Sequence, residues 1–499
     1  MRICVLLPDE PKAEQAGLRI RYQRIAAPLA ELGHTLLLLP IQNLTRGTLG
    51  AHDIYVLSKC YDARALVAMR AIQAAGKRVG ADFFDDYFSQ SHDSRFARLR
   101  YWFREVVAGS DFALCSTPRM RDLVEQAAPT LPVHLMNDPA HNFQPETLRS
   151  LLREKLEKMA QTRLISVLWF GIGDNPDFPV GLRDLATFGD ALDRLRHRGF
   201  AVHLKILTNQ RAMTPRALAG LRRLATEWHL EEWSETREQE LLADALVAFL
   251  PVNAQNFSIA KSLNRAVTAL AAGAQVLSTG FPLYAPLEDF LYTDPLVLLA
   301  DLERGMPRLR ADTVDSLALR FSELADPVHE VRRLRSFLAD IKKASVRNHP
   351  SAVAVVHGRE TLGAVHKLAQ RLGGLSVASP LSSASLSYDV RFSVAPESND
   401  LVMAISAKHA PELPVPWHGD GEARRIKLRD LFAAGDLPDC FDGVVALLAA
   451  GTPGALVAMY PKLMQLISLA LRRVFPQITC FYSEQARDLA WYVESPRHA

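Results

Sequence analysis

The chain has 499 residues, enough for about three domains that bury their own cores without disulfides or metals. Its 58 Lys and Arg nearly balance 55 Asp and Glu, and a net charge of +3 excludes a general nucleic-acid binder, so any basic site must be local. The cysteines Cys4, Cys60, Cys115, Cys440 and Cys480 are scattered without a CxxC pair, which excludes a zinc ribbon by spacing and argues against a disulfide framework.

The opening apolar run, residues 1–8, is too short for a signal peptide and is followed by Asp9 and Glu10, so a cytoplasmic location is expected. Residues 2–7 read as a first strand. Ile20, Ile25, Leu29 and Leu32 place a helix over 17–31, closed by Gly33, and 35–39 read as a buried second strand. Strands follow at 53–57, 77–84, 111–116 and 133–136, with a helix over 119–127. Such alternation predicts a parallel sheet with helices on both faces. A charged helical connector, 144–161, sets a boundary near residue 160.

The second series has strands at 164–170, 201–207, 245–250 and 275–278, helices over 184–196 and 258–272, and two long terminal helices, 328–344 and 350–372. The Ser-rich stretch 376–387 has linker character. Residues 374–499 then read as an additional small α/β module, with strands at 390–394, 401–405, 444–448 and 478–482 and a helix over 461–473. Gly451, Thr452, Pro453 and Gly454 interrupt the apolar stretch 443–460, so a strand, a turn and a helix fit it better than a membrane span. The expected division is therefore 1–160, 161–373 and 374–499.

The segment 256–273 carries the chemistry. Ser258 suits an N-cap and Gly273 a C-terminal stop, framing one helix of about four turns. Lys261 stands where a capping box prefers Glu or Gln, and Arg265 follows one turn later. Each cation opposes the helix dipole by about 0.3–1 kcal/mol unless an anion sits there. Lys261, Arg265 and Thr268, spaced i, i+4 and i+7, share a face beside free N–H groups. They mark either a phosphate site or a solvated basic surface.

Asp82, Asp85 and Asp86 follow a strand and suit either capping or acceptor hydroxyls; without DxD spacing or a nearby His pair no metal site is expected. His92, His141 and His203 are single histidines with structural roles, His92 alone lying beside the Asp85 loop as a candidate acceptor contact.

The run from Lys261 through Ser262, Arg265 and Gly273 to Thr279 resembles the C-terminal-domain signature of GT-B fold glycosyltransferases, in particular the group 1 family. Ala16, Gly17, Leu18, Arg19, Ile20 and Arg21, with Leu32, Gly33 and His34, are similar to that family's first glycine loop and Gly-His turn. Residues 80–88, 110–117 and 246–251 resemble its Asp-rich loop, its Ala-Asp strand and the strand ending in Pro. The likeness spans residues 1–373. Thr268 replaces the usual Glu, Gln275 the usual Pro, and the turn 170–176 lacks the usual Arg and Lys.

The resemblance implies an α/β protein with two Rossmann-like domains facing a central cleft. It also implies transfer of a sugar from a nucleotide-sugar donor to a glycan or glycoconjugate acceptor, a hexosyltransferase activity suited to surface polysaccharide biosynthesis. Lys261 and Arg265 would stabilise charge on the departing diphosphate. Gly17, Arg19, Gly171, Gly173, Ser262, Asn264 and Thr268 would hold the donor, Arg21 being an alternative to Arg19, and Asp85, Asp86 and His92 would hold the acceptor. No cofactor, metal or nucleic acid is implied. Peripheral association with the inner membrane face and a protein partner on the C-terminal module are further candidates. Because Thr268 cannot make a bidentate carboxylate contact with ribose hydroxyls, a non-catalytic GT-B-like binding or scaffold protein is the alternative. A dinucleotide enzyme is disfavoured, since Pro8, Asp9, Glu10 and Pro11, not GxGxxG, follow the first strand.

Overall fold

The computed structural model describes residues 1–344 except 13, 14, 91, 92, 94, 95, 141 and 142. Beyond 344 it describes shorter segments, among them 352–356, 390–398, 400–407, 410–419, 423–432, 441–450 and 478–482.

Two six-stranded, all-parallel sheets dominate. The first comprises β1 (Arg2–Leu7), β2 (Thr35–Pro40), β3 (Ile54–Ser58), β4 (Arg78–Phe83), β5 (Phe112–Cys115) and β6 (Val133–Leu135), in the order β2-β1-β3-β4-β5-β6. The second comprises β7 (Leu164–Phe170), β8 (Ala201–Thr208), β9 (Glu227–Glu232), β10 (Val247–Phe249), β11 (Gln275–Leu277) and β12 (Leu291–Tyr292), in the order β12-β11-β10-β7-β8-β9. Renumbered within its own unit, the second is the 3-2-1-4-5-6 order of a dinucleotide-binding fold, and the first begins 2-1-3-4-5, the flavodoxin-like order. Both are doubly wound α/β sheets, as expected.

The central strands are apolar runs because both faces are covered; β3 and β4 are buried throughout. Strand β2 is an edge rather than a buried strand, and Leu37 on it is 38% exposed. β9 and β12 were not read from the sequence: β9 is an edge that alternates polar with half-buried positions, and β12 is only two residues long.

The first helical stretch is α-helical over Ala16–Leu18, widens to a π-turn over Arg19–Gln23, and resumes over Arg24–Glu31. The expected helix 184–196 is split into Leu182–Thr187 and Asp190–Arg194. The helix Pro327–Lys343 leaves the second sheet and returns to the first, where Val331, Leu334, Leu338 and Ile341 pack with Ile3, Val5, Ile54 and Val56. His134 Nε2 and Glu330 Oε1, 2.8 Å apart, and Arg333 donating to the Leu135 carbonyl at 3.1 Å fix that return.

Past residue 344 two expectations are corrected. The supposed helix 350–372 opens instead with a strand, Ala352–Val356, whose alternating β-branched residues pair in parallel with Val377–Ala378 and Ile478–Tyr482. The supposed strand 444–448 lies in the helix Phe441–Ala450, an apolar run whose period could not separate the two states. Of the stretch expected as linker, Val377–Ala378 is this strand and the rest lies outside the described residues. A four-stranded mixed sheet is built from Val390–Ala395, Asp400–Ser406, Ala423–Lys427 and Val493–Glu494. Leu368 and Leu372 join the core of the first sheet, and Arg46 Nε donates to the Leu372 carbonyl at 2.8 Å. The helix Ala63–Ala74 is consequently covered on nearly every face.

Candidate functional site

In an open parallel sheet the ligand crevice lies beyond the carboxyl ends of the strands, where neighbouring strands send their connections in opposite directions. Strand order puts that point between β1 and β3 in the first sheet and between β7 and β10 in the second. Lys59 follows β3, and the connection after β1 leads to Gly17 and Arg19. The turn Gly171, Ile172, Gly173 follows β7, and Lys261 and Arg265 lie beyond β10. Asp85, which follows β4, joins the two sets by pairing with both Lys59 and Lys261.

Residues 256–273 do not form one helix. A short helix, Asn256–Ile259, ends at Ala260, and a second runs Asn264–Ala271, leaving Lys261 and Ser262 between them. Thr117 Oγ1 of the first unit donates to the carbonyl of the fully buried Ala260 at 3.3 Å, Lys261 pairs with Asp85, and the Asn264 N–H reaches Ser262 Oγ at 3.5 Å. These contacts replace helical bonds, so the expected shared face of Lys261, Arg265 and Thr268 does not exist. The far end matches expectation: Gly273 has φ 71°, and the N–H groups of Gly273 and Ala274 reach the carbonyls of Leu270 and Ala269, a Schellman closure.

Lys261 is held by Asp85 of the first sheet, whose second oxygen pairs with Lys59 Nζ at 2.9 Å. Burial alone would raise the Asp85 pKa, but Lys261 and then Lys59 outweigh it and hold the carboxyl well below the usual carboxylate range. The ammonium of Lys261 also lies 3.8 Å from the ring centroid of Phe257 and that of Lys59 lies 4.4 Å from Phe84. Lys59, with φ 56°, is a component that sequence reasoning missed; its place at the end of β3 was the available signal.

Arg265 makes no ion pair among the described residues, although Asp184 lies within electrostatic reach of it. Its guanidinium lies over Trp169 and Phe170, with Cζ 5.2 Å and 5.5 Å from their ring centroids, and its Nε and Nη2 are buried without a hydrogen-bond partner. Gly171, at φ 143°, brings the chain against it; a Cβ there would lie 3.3 Å from Arg265 Cζ. Arg19, 8% exposed, stacks on Trp233 at 4.7 Å and lies 3.5 Å from Glu235, yet its Nε and Nη1 also lack hydrogen-bond partners. Burial and then the charge of Arg19 hold the neighbouring Arg24 below its ordinary pKa.

The other sequence candidates divide. Arg21 is consumed inside the first sheet by Asp82, Asp138 and the Met136 carbonyl, and so cannot reach a ligand. Asp86 is corrected too: fully buried, its oxygens accept from the Phe88 and Ser89 N–H groups and from Ser89 Oγ, closing its own loop. Asn264 Oδ1 accepts from Arg24 at 3.0 Å, tying the sheets together. Gly173 is needed for packing, since a Cβ would lie 2.4 Å from Thr208 Oγ1. Gly17 lies under Phe84, where a Cβ would come within 3.1 Å. Thr268 is half-buried on the Arg265 helix. His92 and His141 lie outside the described residues.

Two further features escaped sequence reasoning. Arg211, after β8, grips Asp174 of the glycine turn through Nε at 2.9 Å and Nη2 at 3.1 Å, placing a cation beside the turn that lacks one of its own. Tyr87 and Phe96 of the first unit cluster with Phe178 and Phe257 of the second, the latter two stacked at 4.3 Å. Among the described residues no group of three or more His, Cys, Asp or Glu is placed to hold a metal ion, and no helix is long and apolar enough to cross a membrane.

No family model and no curated protein matches this chain. Among solved structures it is similar to E. coli "Trehalose-6-phosphate... bound with UDP-2-fluoro glucose", at 11% identity, covering 70% of this chain and 100% of that one with a TM-score of 0.45. Anabaena Alr3699/HepE in complex with UDP and glucose gives 12%, 68%, 100% and 0.45. The Burkholderia multivorans α,α-trehalose 6-phosphate synthase gives 11%, 70%, 99% and 0.43.

Proposed function

We propose that this chain is a glycosyltransferase that binds a nucleotide-sugar between the two sheets and transfers the sugar to a glycan or glycoconjugate acceptor. The observation that carries this reading is Arg265: a guanidinium with two buried, unpartnered nitrogens beside Gly171 at the switch point of a 3-2-1-4-5-6 sheet. A buried donor without an acceptor costs about 1–3 kcal/mol, more when charged, and an anionic oxygen is the partner that offsets it.

A nucleoside diphosphate supplies such oxygens. As the bond to the sugar breaks, negative charge grows on the diphosphate, and Arg265, with Arg19 from the facing unit, stabilises it more in the transition state than in the ground state. Lys261 joins them once released from Asp85. On this reading the glycine turn lets backbone approach the donor, and the acceptor enters from the Asp85 side. Surface polysaccharide assembly at the inner face of a membrane fits the same reading.

The testing experiment is a thermal-shift panel with UDP, GDP, ADP, CMP and their sugar conjugates on the wild type and on Arg265→Ala. A shift with one nucleotide that Arg265→Ala loses supports donor binding; no shift with any nucleotide sinks it. The pairing of Lys261 with Asp85, together with Thr268, favours the second reading, a non-catalytic binding protein of this architecture. Nucleotide binding without sugar transfer or donor hydrolysis selects it.

A further inference from the structure

We infer that Asp85 is a built-in competitor for the anion site: its carboxylate occupies Lys59 and Lys261 in the unliganded protein, and a bound diphosphate displaces it from Lys261. The inference deepens the nucleotide-sugar reading and rests on it.

Three observations carry it. One carboxylate is shared by two ammonium groups, Lys59 at 2.9 Å and Lys261 in direct contact. The side chain of Asp85 is 10% exposed, whereas those of Lys261 and Lys59 are 39% and 42% exposed, so the anion is the inserted partner and each cation keeps an open side towards solvent. The pair also joins the two units: Asp85 follows β4 of the first sheet, and Lys261 follows β10 of the second.

Chemistry sets the direction of exchange. A diphosphate oxygen and a carboxylate oxygen offer an ammonium the same kind of charge-assisted hydrogen bond, but the diphosphate carries more charge and engages Arg265 as well. Loss of the Asp85 contact subtracts from its apparent affinity. Exchange cuts one tie between the sheets, and the ligand replaces it, bridging Lys261 and Arg265 to Arg19. Other ties persist, including Arg24 to Asn264 and Arg119 to Asn256 at 2.8 Å, so relief of this contact does not separate the units.

The test is isothermal titration of the full chain with inorganic pyrophosphate and with the nucleoside diphosphate found in the thermal-shift panel, on wild type, Asp85→Asn, Lys261→Met and the double variant. Asp85→Asn keeps the shape and removes the charge; it is expected to bind both probes roughly tenfold more tightly, with the gain absent when Lys261 is Met. If Asp85→Asn, folded by circular dichroism, binds equally or more weakly than wild type, Asp85 positions Lys261 and the competitor inference is overturned. A gain that survives in Asp85→Asn/Lys261→Met overturns it as well. Absence of probe binding by every protein overturns the nucleotide reading and this inference with it, whereas wild-type binding lost in Arg265→Ala, with no gain in Asp85→Asn, overturns the inference alone.

Discussion

Arg21 grips the carboxylate of Asp82 through two parallel hydrogen bonds, Nε at 2.8 Å and Nη2 at 2.6 Å, and both side chains are about 1% exposed. Tyr22 adds a third bond to Asp82 at 2.6 Å and Asp138 takes the remaining side of Arg21 at 2.9 Å. The first helical stretch is thereby tied to β4 and to the chain after β6 at the point where its helix widens into a π-turn. Removing one partner of a buried pair costs about 3–5 kcal/mol when the other charge is left uncompensated, and Asp138, which still faces Arg21, places Asp82→Asn at the low end of that range. Asp82→Asn should therefore lower the melting temperature by many degrees. Pyrophosphate affinity measured well below that temperature should change little, because Arg21 takes no part in the site. A stable Asp82→Asn protein that has lost pyrophosphate binding would reverse this assignment.

Gly171 is a sharper probe of the site. Its φ of 143° is a conformation that L side chains rarely adopt, and an added methyl would press on the Arg265 guanidinium at 3.3 Å. Gly171→Ala should cost about 1–3 kcal/mol of stability and weaken nucleotide binding at least as much as it weakens the fold. Chemical denaturation and titration calorimetry on the same preparation compare the two losses. A loss of stability with unchanged nucleotide affinity would detach this turn from the ligand.

The central strands were readable because a strand covered on both faces is an apolar run of four to seven residues, as at Ile54–Ser58 and Leu164–Phe170. Gly33 and Gly273 announced their helix ends because φ values of 74° and 71° suit glycine. The break at 260–263 could not be read locally. It is fixed by Thr117 and Asp85, residues more than 140 positions away, and nothing in the local pattern forbids a helix there. The division of labour among basic residues was equally hidden. Arg19 and Arg21 are two positions apart, yet one is spent on Asp82 and Asp138 while the other keeps unpartnered nitrogens. Lys59 and Trp233 entered the site only when strand order showed which loops meet.

The Asp85 contact makes a pH prediction whose sign follows from linkage. Its pKa in the folded protein is depressed, so its stabilising contribution is fully present above the unfolded value of about 3.9 and is lost as pH falls through the folded value. Since both lysines are about two-fifths exposed, solvent screening limits that contribution to the order of 1 kcal/mol. The stability difference between wild type and Asp85→Asn should be flat above about pH 5 and should shrink below about pH 4. Urea denaturation of the two proteins across that range checks it; a difference that grows on acidification would contradict the assigned ion pairs.

Lys155 supports the site from behind. Its buried ammonium donates to the carbonyls of Leu242, Ala245 and Ala272 at 2.9, 2.8 and 2.8 Å. Two of these lie at the C-terminal end of the helix Glu235–Asp244 and the third caps the helix Asn264–Ala271, which carries Arg265. Burial pushes the Lys155 pKa down to about 7, and in its charged form it satisfies orphan carbonyls and complements two helix dipoles. Lys155→Met keeps the stem and removes the donors, leaving two buried carbonyls and the half-buried one of Ala272 without that partner at about 1 kcal/mol each, so a loss of about 2–3 kcal/mol is expected. Because the Arg265 helix loses its C-terminal anchor while its N-terminal end keeps the Asn264 contact with Arg24, the damage should spread from residue 272 backwards. Hydrogen exchange should show the amides of Gly273 and Ala274, whose bonds to Leu270 and Ala269 close that helix, losing protection before the amide of Val267. Uniform loss of protection along the whole helix would mean that Lys155 stabilises the second sheet globally rather than this anchor.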